Sequence, residues 1–70
     1  MNANELKAAM KRNEDTQEKL AEALGIKASG VSERISGRIQ FRRNEIDIIR
    51  QRYNLTDADT MKIFFADDVS

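Results

Sequence analysis

The sequence predicts an all-α fold, a compact five-helix domain spanning residues 1–70. Three observations predict it. The chain contains no proline, the strongest helix breaker. Apolar residues recur at three-and-four spacing along most of its length. Helix start and stop residues fall between those runs. Seventy residues suffice for one domain with a small core, stabilised without disulfides because there is no cysteine.

The first helix, roughly 3–12, carries Leu6, Ala9 and Met10 on one stripe. The run "NED" breaks it. Asp15 or Thr16 caps the second helix, about 16–24, and Asp15 with Glu18 has capping-box spacing. Leu20, Ala21 and Leu24 face inward there, and Gly25 supplies a left-handed stop. The third helix runs about 28–36 and ends at Gly37. "RIQFRRN" is a connection with Ile39 and Phe41 available for packing. The fourth helix, about 44–52, aligns Ile46, Ile49 and Tyr53; Asn54 ends it and Leu55 plugs the core. Thr56 caps the last helix, with Asp57 and Asp59 in its first turn, where negative charge suits the helix dipole. Met61, Phe64 and Phe65 are its expected apolar stripe.

Composition narrows function. Histidine and cysteine are absent, and with them the commonest general base and the commonest zinc ligands. No glycine-rich phosphate loop, serine elbow or metal-ligand spacing occurs, so an enzyme is not expected, and neither is a cofactor. The acidic pairs Asp57/Asp59 and Asp67/Asp68 read as a helix start and a solvated tail rather than a cation site. Neither a signal-peptide core nor a membrane span appears, and a cytoplasmic location is expected. Formal net charge is zero, but unevenly distributed: +2 over residues 1–12, −3 over 13–26, +4 over 27–52 and −3 over 53–70. A basic middle of this kind suits a polyanionic partner despite overall neutrality.

The most specific stretch is "TQEKLAEALGIKASGVSERIS", residues 16–36. Two helices crossing steeply through a short turn need a small residue at the crossing, a turn residue tolerant of positive φ, and an apolar residue pointing back. Ala21, Gly25 and Val31 meet those needs in order, with Leu20, Leu24 and Ile26 around them. On a helical wheel Ala28, Ser32, Ser36, Ser29 and Glu33 fall within an arc of about 140°. This face is slim and polar enough for a DNA major groove. Serine can donate or accept there, Ala28 can meet a thymine methyl, and Glu33 can accept from a cytosine amino group.

Residues 16–37, through "TQEKLAEALGI" and "SGVSERISG", resemble the lambda-repressor-like Cro/CI (XRE) helix-turn-helix family. The likeness extends over nearly the whole chain, to the trailing "KIFF". It implies a five-helix fold, binding to a double-stranded DNA operator as a phage-type transcriptional repressor, and a homodimer on a two-fold site. It also assigns base reading to Ala28, Ser29, Ser32 and Glu33, and to Gln17 a phosphate contact that braces the reading helix. Lys27, Ser36, Arg38, Gln40, Arg42 and Arg43 are candidates for the flanking phosphate track, which supplies affinity and register rather than sequence information.

Two positions depart from the family pattern. Lys27 stands where the family has a capping Ser or Thr, and lysine offers the helix no acceptor. Arg34 stands where an apolar residue is usual, on the inward side; its stem packs while its head reaches solvent, or it pairs with an acid. Gly30 in mid-helix costs about 1 kcal/mol relative to Ala, which suggests a close helix approach. The rival function is a protein-interaction module that modulates a partner repressor or toxin, with Met61, Phe64 and Phe65 as the candidate interface.

Overall fold

A computed structural model describes residues 1–65. The elements are α1 (Ala3–Arg12), α2 (Gln17–Leu24), α3 (Ala28–Ile35), α4 (Arg43–Arg52) and α5 (Asp57–Thr60), the last continuing as a wider π-type turn over Met61–Phe65. No strand occurs among the described residues. The readings of Asp67 and Asp68 lie outside them.

Local chemistry accounts for most helix ends. The Asn2 side chain accepts from the Glu5 amide at 3.2 Å and starts α1. Thr16, not Asp15, caps α2, its hydroxyl accepting from the Lys19 amide at 3.1 Å. Gly25 ends α2 with φ 73°, a conformation that disfavours any residue with a Cβ. Asn54, with φ 51°, follows α4 as expected. Thr56 and Asp59 form a reciprocal box at α5: the Thr56 hydroxyl accepts from the Asp59 amide at 3.0 Å, and the Asp59 carboxylate accepts from the Thr56 amide at 3.3 Å.

Among the described residues four large side chains are fully buried, and each comes from a different helix: Leu6 from α1, Leu20 from α2, Val31 from α3 and Ile49 from α4. Tyr53, Leu55, Ile63 and Phe64 complete one cluster around them. The C-terminal turn closes this core. The Asn2 amide donates to the Ile63 carbonyl at 2.7 Å, and the Phe64 ring meets Phe41 edge to face at 5.5 Å. The last stripe is therefore shifted from the expected one. Thr60, Ile63 and Phe64 face inward at i, i+3, i+4 spacing, whereas Met61 and Phe65 are exposed. Ile39 is also exposed, so only Phe41 of the two connection residues packs against the core.

Asp15 has a structural role other than capping. Its carboxylate side chain is 3% exposed and accepts from Nε and Nη2 of Arg52, both at 2.8 Å, and from the Tyr53 hydroxyl. This joins the α1–α2 connection to the end of α4 across 37 residues of sequence. The Arg52 hydrogen bonds, helped by Tyr53, outweigh burial and lower the Asp15 carboxyl from 3.8 to about 2. Burial, reinforced by the Asp15 bond, raises the Tyr53 phenol and keeps it protonated.

Because the folded Asp15 carboxyl titrates below its unfolded value, its stabilisation is complete above pH 3.8 and is lost as pH falls toward 2. The shift corresponds to about 2 kcal/mol. Urea unfolding of the protein is expected to show this loss between pH 4 and 2, and Asp15→Asn is expected to flatten that part of the profile. Parallel pH profiles for the two proteins would remove Asp15 as its source.

Candidate nucleic-acid interface

The turn between α2 and α3 is short, and its hydrogen bonds are local. The Gly25 amide donates to the Glu22 carbonyl at 3.2 Å, and the Ile26 amide to the Ala21 carbonyl at 3.0 Å. Ala21 and Val31 are both buried, and α2 and α3 pack directly on one another. Ile26 and Leu24 pack against the same core. The small, left-handed and apolar positions read from the sequence are thus occupied in the expected manner.

The face of α3 away from that contact carries the candidate readers. Ser29 and Ser32 are exposed, and Glu33 is half-buried. Among the described residues, the Glu33 carboxylate makes no ion pair or hydrogen bond. Ala28 is half-buried against the core, which limits what its methyl group can reach. Ser36 is exposed, but its hydroxyl turns back and donates to the Glu33 carbonyl at 2.9 Å. That carbonyl also accepts from the amides of Arg38 and Ile39 at 3.0 and 3.3 Å. Ser36 therefore finishes the end of α3, with lone pairs left to accept from outside.

Lys27 occupies the N-cap with extended backbone and no side-chain cap bond, as its chemistry requires. Arg34 is the buried departure. At 8% exposure it pairs with Glu45 of α4, Nε to Oε1 at 3.0 Å and Nη2 to Oε2 at 3.2 Å. Burial pushes the Glu45 carboxyl up, but the bonds from Arg34 and from the Arg42 amide prevail and its pKa is lowered. The space at Gly30 is bordered by Arg34 and by Ile26 of the turn rather than by another helix, since a Cβ there would lie 3.3 Å from the guanidinium and 3.5 Å from the Ile26 side chain.

The cations of the basic middle sort into two groups. Arg34 and Arg52 are bound to buried or nearly buried acids, Arg50 pairs with Asp57 at the surface, and Arg43 stands 4.0 Å from Asp47 with both side chains exposed. Lys27, Arg38 and Arg42 are exposed and make no ion pair among the described residues. Those three flank α3, one at its start and two on the connection beyond its end. Gln40 is exposed on the same connection.

Gln17 opens α2 and is exposed beside a hollow that also borders Lys7, Lys11, Thr16 and Ile35. Lys7 and Lys11, one turn apart on α1, thus join Gln17 near the end of α3. The sequence shows their i, i+4 spacing but not which end of α3 they approach. Of the candidate interface residues, Phe64 is buried in the core at 9% exposure and leaves little surface for a partner. Met61 and Phe65 remain, exposed at 57% and 50%. Phe65 and the exposed Ile39 and Met1 border one hollow, and Phe65 and Met61 border the next.

Set against known proteins, the chain matches no family model, and no curated protein or solved structure is significantly similar to it.

The uncapped start of α3 has a measurable consequence. Lys27→Ser places a hydroxyl acceptor on a backbone already in cap conformation. The variant is expected to unfold about 1 kcal/mol later than the parent in urea titrations. An unchanged or lowered midpoint would show that the amides at this start are already satisfied.

Proposed function

We propose that this chain is a sequence-reading DNA-binding regulator of the lambda-repressor-like kind, with α3 entering the major groove of an operator. One observation supports the reading: the exposed residues of α3 are bracketed in the chain by Lys27, Arg38 and Arg42, which are exposed and make no ion pair among the described residues. Cations without partners beside a slim helix suit two phosphate backbones on either side of a groove. Ser29, Ser32 and Glu33 are the proposed base readers, with Ala28 at the margin of the contact. Lys27, Arg38, Gln40, Arg42, Arg43 and Gln17 are the proposed phosphate contacts, and Ser36 contributes only as an acceptor for an ordered water or a donor on the DNA. Glu33 weakens general attraction to DNA but favours cytosine over bases that present only acceptors at that point. The proposed role is binding rather than catalysis, and no metal or cofactor is part of it.

Selection from random DNA duplexes at low salt tests this directly. A defined operator is expected, with affinity that falls steeply as salt rises. Arg42→Ala is expected to weaken all duplexes alike and to lower the salt slope by about one. Glu33→Gln is expected to change the preferred base at a single position. A selection that enriches no sequence overturns the reading.

A second reading rests on the apolar side chains Met1, Ile39, Met61 and Phe65, all exposed and bordering two hollows that share Phe65. An exposed apolar cluster on so small a domain suits burial by another protein. A second copy on a two-fold operator fits the DNA-reading proposal, and a larger repressor or toxin fits a modulatory one. Sedimentation equilibrium distinguishes them: the homodimer reading expects concentration-dependent dimers, weakened about tenfold or more by Phe65→Ala. A monomer at all concentrations would exclude the self-paired form.

A further inference from the structure

Three segments of the chain meet at the Glu45 carboxylate. Arg34 of α3 reaches it through Nε at 3.0 Å and Nη2 at 3.2 Å. The backbone amide of Arg42, the last residue of the connection between α3 and α4, donates to its Oε1 at 2.9 Å. Glu45 itself stands in the first turn of α4. The remaining guanidinium nitrogen, Nη1, donates back to the Gly30 carbonyl at 3.0 Å, so Arg34 is fixed at both ends of its planar head. Gly30 leaves room for that bond: a Cβ there would lie 3.3 Å from Nη1, which would have to shift by a few tenths of an ångström.

A buried ion pair is a poor source of stability: apolar residues of similar volume often serve as well or better. A bidentate arginine–carboxylate pair supplies something else, a fixed direction and distance between the two backbones that carry it. One of these backbones carries the proposed base-reading face, and the other adjoins the connection that carries proposed phosphate contacts. Ser29, Ser32 and Glu33 lie on α3, which Arg34 anchors. Arg38, Gln40 and Arg42 lie on the connection, whose last amide Glu45 holds.

We propose that Arg34 and Glu45 are positioning residues for DNA reading, setting the register between the base-reading face of α3 and the phosphate-contacting connection. Neither touches the duplex. This rests on the DNA-reading proposal and adds to it the source of discrimination: phosphate contacts made from a fixed connection hold α3 at one depth and angle, so that a wrong base is not accommodated by tilting.

Two variants test it: the apolar double substitution Arg34→Met with Glu45→Leu, and Glu45→Gln, which retains shape and an acceptor for the Arg42 amide while removing the charge. In the DNA-free protein, amide hydrogen exchange over residues 37–42 is expected to rise about tenfold or more in the double variant, with α1 and α2 amides nearly unchanged. On DNA, its preference for the selected operator over random duplex is expected to fall about tenfold, and the salt slope by about one. Glu45→Gln is expected to fall between the two in both measurements, and carries the test if the double variant does not fold. Unchanged exchange over residues 37–42, or an equal rise throughout, overturns the proposal. So does a folded variant with the parent's preference. If the parent protein selects no operator, the DNA reading fails by that result alone, and the exchange measurement still decides whether the pair holds the connection.

Discussion

The structure depends on one small apolar core that excludes solvent, to which each of the first four helices gives a fully buried side chain: Leu6, Leu20, Val31 and Ile49. A chain of this length has no second layer of core to fall back on, and no disulfide. α2 is central to the packing, with α3 and α4 directly against it, while α1 packs mainly on the C-terminal turn. The rest of the packing closes the two ends of this cluster. Phe64 against Phe41 and the Asn2–Ile63 hydrogen bond close one end. The Asp15, Arg52 and Tyr53 group closes another, joining segments that are far apart in sequence.

Charge follows the same division. Neutrality of the whole chain conceals which cations are already bound. Those that serve the fold, Arg34 and Arg52, are matched by carboxylates with almost no exposure, Glu45 and Asp15. Those flanking α3 are left without acids. Pairing within the chain thus removes several cations from the basic middle, and the remainder, Lys27, Arg38 and Arg42, lies just before α3 and on the connection that follows it. A summed net charge discards this information, because it counts a buried pair and two separated surface charges alike.

Much of the fold was legible because its signals are local. Gly25 as a left-handed stop, Thr16 and Thr56 as caps, and the stripes Leu6/Ala9/Met10 and Ile46/Ile49/Tyr53 each follow from residues within a turn or two of one another. What was missed depends on partners distant in sequence. Asp15 has the spacing of a cap residue but is drawn to Arg52 and Tyr53. The last helix has two plausible apolar stripes, and the choice of Ile63 over Phe65 is made by Asn2 and by the position of Phe41. Within the candidate site, the polar face of α3 was readable from helical periodicity. The inward turn of the Ser36 hydroxyl, the partial burial of Ala28 and the nearness of Lys7 and Lys11 to Gln17 were not, since each depends on how helices are arranged in space.

The same contrast bears on how α3 is stabilised. It starts at a lysine that gives no cap bond and has a glycine in its first turn, so its intrinsic tendency to form is low. It is eight residues long, below the length at which an isolated helix is stable in water. Its order comes instead from Val31 and Ile35 in the core, while the Arg34–Glu45 pair on the same inner side fixes its direction. The outer residues Ser29, Ser32 and Glu33 add little to folding, because none is fully buried and, among the described residues, their side chains make no hydrogen bond or ion pair with another helix. Fold and surface chemistry are therefore separable on this helix: the inner face and the turn fix where it stands, and the outer face can change its hydrogen-bonding pattern at small cost to stability.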